Sequence, residues 1–199
     1  MSLTKKVNFE YFPELHDYKL NGVIISGVTT ILQKAGLISF DFVSPEHLAE
    51  LADLGHKVHT TCELWDRDNL DMDSLHPILK GYLDSWIKFI TISKYTFEAI
   101  ETPIFSAKYR IAGTPDRITT GKILIDIKIG VPKKADPIQT AGYALIYDED
   151  KKAKDRIKRR MSVYLDKKGG IPKTIEYKES TDKIVFLAAL TITNFLRRR

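Results

Sequence analysis

The stretch from Ile123 to Ile129 constrains the fold more than any other part of this chain. Side chains on a β-strand alternate between its two faces, so four isoleucines point one way while Leu124, Asp126 and Lys128 point the other. The apolar face predicts a strand that packs on a core. The polar pair predicts that a carboxylate and an ammonium group project together from the opposite face.

The orientation of Asp116, on the preceding strand, depends on the turn between the two strands. A strict two-residue loop at Thr120-Gly121 would pair Asp116 with Ile125 and point it away from Asp126. A three-residue loop, or a bulge near Pro115, would pair Asp116 with Asp126 and place both carboxylates on one face. We predict this second arrangement.

Two carboxylates beside a lysine are typical of a cation site. Like charges at close range disfavour ionisation, and a divalent cation such as Mg²⁺ removes that cost. Bound Mg²⁺ can also polarise a phosphodiester and help to deprotonate water, while Lys128 would offset the charge that builds on the phosphorus centre. Cys62 is the only cysteine, which excludes a disulfide, a zinc ribbon or a four-cysteine iron–sulfur cluster within the chain, so Mg²⁺ or Mn²⁺ is expected.

Four more polar residues share helix faces near this stretch. His59 and Glu63 are four apart on a helix predicted to start at Ser44-Pro45, so they lie on one face. Gln139 and Tyr143 are likewise four apart on a helix predicted to start at Asp136-Pro137. Each pair also fits ordinary helix packing, and it is the nearby carboxylates that favour a site.

These residues together resemble the PD-(D/E)xK nuclease superfamily, and within it the RecB-like exonucleases, including many phage-encoded ones. Glu101 also matches a glutamate often found at the start of the first strand in this group. A single Asp-x-Lys is uninformative, whereas four motifs in order, each on its expected element, are specific. The matching motifs are Gly-x-x-x-His at Gly55 and His59, Gly-x-x-Asp at Gly113 and Asp116, Asp-x-Lys at Asp126 and Lys128, and Gln-x-x-x-Tyr at Gln139 and Tyr143.

The resemblance implies an α/β, restriction-endonuclease-like core: a central mixed sheet with an antiparallel three-strand meander, flanked by helices. It implies a Mg²⁺- or Mn²⁺-dependent DNA exonuclease acting in recombination, repair or replication, of a kind that phages and mobile elements encode. Glu63 and Glu101 would support the site. The implied catalytic residues are Asp116, Asp126, Lys128, Gln139 and Tyr143, the metal ligands His59, Asp116 and Asp126, and the DNA-binding residues Gln139 and Tyr143. Charge alone adds Lys158, Arg159 and Arg160 to the DNA-binding residues.

Lys158, Arg159 and Arg160 lie in the part of the chain that carries its excess of positive charge. Residues 1–150 carry 16 Lys and Arg against 21 Asp and Glu, whereas residues 151–199 carry 15 against 5. Basic clusters attract polyanions without reading sequence, although a solvated helix face and a frayed terminus would show the same pattern. We expect the C-terminal part to hold DNA, either single-stranded or at duplex ends.

Length and a content of 43% hydrophobic residues predict one domain over residues 1–199, which the resemblance makes a nuclease domain. It would comprise an N-terminal hairpin and short helix (1–43), a catalytic core (44–148) and a basic strand and helix (149–199). Residues 97–130 are predicted to form three strands, and a further strand is expected around residues 162–165. No apolar run reaches the roughly 18 residues of a membrane span, so an intracellular, cytoplasmic protein is expected.

Two alternatives remain open at this stage. The same fold could cut internally, as an endonuclease of the resolvase or restriction type. It could also serve as a DNA-binding or assembly subunit without catalysis, although a decayed site usually loses a carboxylate or the lysine. The sequence leaves open whether the chain forms an oligomer.

Overall fold

The computed structural model describes residues 7–13, 17–39 and 43–197, which form a mixed α/β fold. None of the helices in these ranges has the length and apolar character needed to cross a lipid bilayer. The helices are α1 (Val28–Lys34), α2 (Pro45–Asp66), α3 (Pro77–Ser93), α4 (Asp136–Tyr147) and α5 (Thr181–Leu196). The strands are β1 (Phe9–Phe12), β2 (Asp17–Leu20), β3 (Val23–Gly27), β4 (Phe97–Ile100), β5 (Ile104–Ser106), β6 (Ile111–Gly113), β7 (Arg117–Thr119), β8 (Ile123–Ile129), β9 (Arg159–Leu165) and β10 (Lys173–Tyr177).

The central sheet has the strand order β10-β9-β8-β7-β4, with β8 in the middle. Strand β8 pairs parallel with β9 and antiparallel with β7, so the sheet is mixed, as predicted. Three isoleucines of β8 are buried in one core with Val58 of α2 and Trp86 of α3. Leu124 belongs to a second core on the other face, where α1, α4 and α5 pack. The predicted alternation of β8 is therefore confirmed.

The prediction of three strands over residues 97–130 is wrong in number, because this segment forms five. Strands β4, β7 and β8 do form the expected antiparallel set in the central sheet. Between β4 and β7, however, β5 and β6 form a hairpin that joins a second, N-terminal sheet with the order β1-β2-β3-β6-β5. Strand β6 pairs in parallel with β3, with Ser26 opposite Ile111. Local periodicity does not reveal a pairing between strands so far apart in the sequence.

The two predicted helix starts differ in how they are capped. At α2, Ser44 Oγ accepts a hydrogen bond from the backbone of the first turn at 3.3 Å, as predicted. At α4 the predicted cap is wrong, because Ala135 occupies the N-cap position and Asp136 lies inside the helix. Asp136 Oδ2 instead accepts from Lys133 N and from the Tyr164 hydroxyl, both at 2.7 Å. The buried carboxylate thus ties the start of α4 to β9.

Candidate active site

A cleft of about 640 Å³ lies between α2, the N-terminal sheet and the central sheet. Side chains from α2, α4, β8 and the loops beside β4 and β7 reach it, so several distant parts of the chain share one wall. Every predicted catalytic and metal-binding residue lines this cleft, together with both predicted supporting residues: His59, Glu63, Glu101, Asp116, Asp126, Lys128, Gln139 and Tyr143.

The turn between β7 and β8 has the predicted three-residue loop. Arg117 pairs with Ile125, and continuing this register places Asp116 opposite Asp126. The loop closes with a hydrogen bond from Lys122 N to the Thr119 carbonyl at 2.9 Å, and Lys122 has a φ of 65°. A residue in the left-handed region is typical of three-residue hairpin loops. Both carboxylates consequently point into the cleft.

A compact group of three side chains could hold a metal ion. His59 Nδ1 lies 3.4 Å from Asp116 Oδ1 and 3.6 Å from Glu101 Oε1, and one ligand atom from each residue lies within 4.8 Å of the others. Carboxylate oxygens suit hard divalent cations such as Mg²⁺ and Mn²⁺, whereas the imidazole nitrogen is a borderline donor that suits transition metals. We call His59, Glu101 and Asp116 the metal cluster.

The metal cluster differs from the predicted ligand set in one member. Glu101, expected only to support the site, belongs to it, whereas Asp126 does not belong to this group. Glu101 also follows β4 directly instead of opening a strand. Its φ of 43° is uncommon for a residue other than glycine, and its N–H donates to the Asp116 carbonyl at 2.9 Å. This backbone conformation turns the glutamate towards His59.

Asp126 and Lys128 begin a second group, a chain of hydrogen bonds along the cleft. Lys128 Nζ lies 2.9 Å from Asp126 Oδ2 and donates to Gln139 Oε1, also at 2.9 Å. Gln139 Nε2 in turn donates to the Tyr143 hydroxyl at 3.1 Å. Burial raises the pKa of Tyr143, so its hydroxyl stays protonated at neutral pH. The Gln-x-x-x-Tyr spacing therefore orients the lysine beside Asp126.

The electrostatics of the two carboxylates differ. Burial raises the pKa of Asp126 to about 6, with Lys128 acting against the rise and Asp116 adding to it. Burial acts in the same direction on Asp116, but the neighbouring His59 outweighs it and lowers the pKa of Asp116. The pKa of Lys128 is raised, because Asp126 and Asp116 outweigh the effect of its burial. At neutral pH the cleft thus holds ionised carboxylates and a charged lysine.

His59 should carry a proton in the metal-free protein, which predicts pH-dependent metal binding. Burial alone would lower the pKa of His59, but Asp116 and then Glu101 raise it from 6.5 to about 10. Because a metal binds the neutral imidazole, that proton must leave. The affinity for Mg²⁺ should therefore rise between about pH 7 and pH 9, approaching about tenfold per pH unit, as measured by isothermal titration calorimetry.

The control for this prediction is His59→Ala, which removes the titrating group. The variant should bind Mg²⁺ more weakly, with a much flatter dependence on pH. The metal-free wild type should also lose stability as pH rises from about 6.5 towards 10. The pKa of His59 is higher in the folded than in the unfolded protein, so protonated His59 stabilises the fold at low pH and this contribution disappears as the histidine loses its proton. An equally steep affinity slope in His59→Ala would contradict the assignment.

The glycine of the Gly-x-x-Asp motif allows a close approach. A Cβ on Gly113 would lie 2.6 Å from Tyr143 Cε1 and 2.7 Å from Cδ1. Gly113→Ala should therefore lower the free energy of unfolding by about 1–3 kcal/mol, as measured by urea denaturation. Gly121→Ala is the matched control, since its Cβ would lie 3.7 Å from Thr119 Oγ1. Equal losses in the two variants would contradict this explanation.

The structure does not bring Lys158, Arg159 and Arg160 to the cleft. They line a separate cavity of about 410 Å³ beside β10 and the start of α5. Arg159 and Arg160 are the first two residues of β9, an interior strand of the central sheet, and Lys158 lies in the segment just before it. Arg159 forms an ion pair with Glu176 at 2.7 Å, and Arg160 with Asp182 at 2.8 Å. They lie outside the cleft, so their predicted binding of DNA stays a prediction, and Arg198 and Arg199 fall outside the described residues.

Two residues of α2, Glu63 and Gly55, also line the cleft. Glu63 lines the cleft, but its Oε1 accepts from Arg67 Nε at 2.9 Å, which places it beside the metal cluster and not within it. Gly55 lines the same wall one turn before His59, and a Cβ there would make only ordinary contact with Ile129. Gly55 therefore leaves space in the cleft, and no neighbouring backbone packs closely against it.

Two buried polar residues that contact the site were not predicted from the sequence. Ser162 of β9 is buried and donates to Asp126 Oδ2 at 3.0 Å. Arg117 is also buried, on the face of β7 that points away from the cleft, where it contacts Glu101. The sequence does contain a sign of Arg117's position. Successive side chains on a strand point to opposite faces, so Arg117 points away from the face of Asp116 and places a charge on the apolar face of the sheet.

Comparisons with known proteins find only weak similarities, three of them to solved structures of exonucleases. No protein-family model and no curated protein matches the sequence. A candidate exonuclease from Eubacterium rectale has a TM-score of 0.47 and 11% identity, covering 71% of this chain and 68% of its own.

A phage-related exonuclease from Haemophilus somnus has a TM-score of 0.36 and 11% identity, covering 71% and 82% of the two chains. An alkaline exonuclease from Laribacter hongkongensis has a TM-score of 0.34 and 11% identity, covering 87% and 92%. Because every one of these TM-scores is below 0.5, the case for a function rests on the geometry of the cleft.

Proposed function

We propose that this protein is a metal-dependent deoxyribonuclease of the PD-(D/E)xK superfamily, with a restriction-endonuclease-like core and a RecB-like exonuclease activity. One observation carries the proposal: Asp116, Asp126 and Lys128 meet in one cleft, with His59 and Glu101 beside them. Paired carboxylates with a lysine and a cation site suit the hydrolysis of a phosphodiester, since charge builds on its oxygens in the transition state.

The residues present fit a hard divalent cation, Mg²⁺ or Mn²⁺. His59, Glu101 and Asp116 would hold the ion, and Asp126 faces the same cleft from β8. No thiolate is among these donors, which disfavours a soft metal. When bound, such a cation supplies Lewis-acid polarisation of a phosphate oxygen and a lowered pKa for coordinated water.

The remaining residues act on the substrate and on the attacking water. Lys128, held between Asp126 and Gln139, places a positive charge beside the carboxylates, where it can orient water and offset the developing negative charge. Tyr143 fixes Gln139 from the other side and keeps its proton. The amide and the phenol therefore orient the lysine, and both groups would face a phosphate backbone that enters the cleft.

The proposal assigns DNA as the substrate, in recombination, repair or replication. The cleft is open to solvent beside His59 and Glu63, which are both partly exposed. A strand end entering between α2 and the central sheet would bring its terminal phosphodiester to the metal cluster. Such a route would remove nucleotides from an end, and the exonuclease assignment itself comes from the resemblance to the RecB-like exonucleases.

Digestion of labelled DNA tests the proposal. The full chain is incubated with Mg²⁺ or Mn²⁺ and with duplexes labelled at either the 5′ or the 3′ end, and with closed circular DNA. We expect mononucleotides from one labelled end, intact circles, and no cleavage in EDTA. Cleaved circles would show an endonuclease, and intact linear DNA under every metal condition would contradict a nuclease function.

A further inference from the structure

A buried arginine beneath the metal cluster links the three elements that carry it. Arg117 lies on β7 directly after Asp116, and its side chain has 0% exposure. Its guanidinium carbon lies 5.6 Å from the centre of the Trp86 ring and 5.9 Å from that of Phe97. A charge in such surroundings is costly unless ion pairs and hydrogen bonds compensate it.

The charge of Arg117 is offset by groups of the metal cluster and by a carboxylate at the end of α2. Nη1 donates to Glu101 Oε1 at 3.0 Å and to the Asp116 carbonyl at 2.6 Å. Nε donates to Asp66 Oδ2 at 2.7 Å. Asp66 is the last residue of α2, the helix that carries His59. One rigid guanidinium therefore joins α2, the end of β4 and the start of β7.

Both ends of this connection are held in place. The Trp86 indole donates to the two carboxylate oxygens of Asp66 at 2.9 and 3.1 Å, which orients that carboxylate towards Arg117. At the other end, Glu101 Oε1 is the same atom that lies 3.6 Å from His59 Nδ1. The arginine thus contacts an oxygen that belongs to the metal cluster.

Stability alone accounts poorly for this arrangement. Arg117 Nη2 is buried and has no hydrogen-bond partner within the described part of the chain, and an unpaired buried donor opposes folding. Replacing buried ion pairs by apolar residues is often neutral or stabilising. The planar fork of arginine, however, can hold two carboxylates and a carbonyl at fixed angles, which lysine cannot do.

We propose that Arg117 is a positioning residue that sets the geometry of the metal cluster through Glu101 and thereby its affinity for a divalent cation. This inference rests on the metal site of the proposed function. Groups that orient metal ligands typically contribute 10–100-fold to metal affinity. Arg117→Lys keeps the positive charge but cannot reach Asp66, Glu101 and the Asp116 carbonyl together.

Calorimetric titration of the full chain with Mn²⁺ tests the proposal. Arg117→Lys should weaken Mn²⁺ binding by about 10–100-fold, while the control Arg156→Lys binds like the wild type. Arg156 also donates to a backbone carbonyl, that of Lys151 at 3.1 Å, but it is exposed and does not line the cleft. A purely structural role would lower the thermal unfolding midpoint in EDTA and leave the Mn²⁺ affinity of the folded protein unchanged.

A double-mutant cycle with Glu101→Gln shows whether Arg117 acts through this glutamate. We expect Arg117→Lys to weaken Mn²⁺ binding far less when Glu101 is already glutamine. Additive effects would overturn the proposal. If Arg117→Lys fails to fold, Asp66→Asn releases the other side of the guanidinium, and the same coupling with Glu101→Gln is expected.

The outcomes separate this proposal from the proposed function. A wild type that binds no Mn²⁺ would overturn the metal-dependent function together with this inference. A wild type that binds Mn²⁺, with Arg117→Lys binding it equally well, would overturn the positioning role alone.

Discussion

Lys128→Met should lower kcat for DNA hydrolysis by about 10²–10³-fold and change KM little. The ammonium group lies 2.9 Å from Asp126 and is held there by Gln139, so under the proposed function it would offset the negative charge that develops during attack on the phosphodiester. Methionine has a similar length and no charge, and therefore removes the electrostatic contribution with little change in packing. Steady-state kinetics on an end-labelled duplex measures the effect.

The control for Lys128→Met is Lys173→Met, a change of the same kind at an exposed position of β10. It should leave kcat and the unfolding midpoint near their wild-type values. A Lys128→Met protein that is folded and has wild-type kcat would refute the assigned role. A rise in KM with unchanged kcat would indicate that Lys128 only binds the substrate.

Asp116→Asn should abolish tight metal binding and lower kcat/KM by about a thousandfold, since a bound metal supplies several kcal/mol of transition-state stabilisation. Asp116 is the member of the metal cluster with a lowered pKa, so its full negative charge is available to a cation at neutral pH. Its Oδ2 also accepts from Ile127 N at 2.5 Å. Asparagine can retain that hydrogen bond through its carbonyl oxygen, so the variant removes chiefly the charge.

Calorimetric titration with Mg²⁺ and hydrolysis of end-labelled DNA measure the two effects of Asp116→Asn. Asp53→Asn is the matched control, because Asp53 lies on the exposed face of α2 and pairs with Lys57 at 2.6 Å. The control should retain the metal affinity and hydrolysis of the wild type. Unchanged Mg²⁺ affinity in a folded Asp116→Asn protein would show that the metal cluster is not the cation site.

The parts of the site that lie close together in the sequence could be predicted from it. The alternation of β8 assigned Asp126 and Lys128 to one face, and the turn at Thr120-Gly121 offered only two registers for Asp116. The structure has the register that was predicted, with both carboxylates in the cleft. Helix periodicity likewise placed Gln139 and Tyr143 one turn apart, and they are hydrogen-bonded.

Predictions that depended on distant contacts were less successful. Residues 97–130 were assigned three strands, and the β5–β6 hairpin was missed because its partner β3 lies far upstream. Arg159 and Arg160 were predicted to bind DNA from their charge alone; in the fold they pair with residues of β10 and α5, and their binding of DNA stays a prediction. A basic run in the sequence shows where positive charge lies, but the acidic residues that pair with it are defined only in the folded chain.

Strand alternation, turn length and helix spacing are local properties, so residues 116–143 alone specified which polar side chains share a face. The composition of the metal cluster was decided by the tertiary structure, which brings His59 from α2 and Glu101 from the end of β4 to Asp116. The same packing places Arg117 beneath them. These contacts join residues far apart in the chain, and their distances depend on how whole elements pack, which no local pattern of residues encodes.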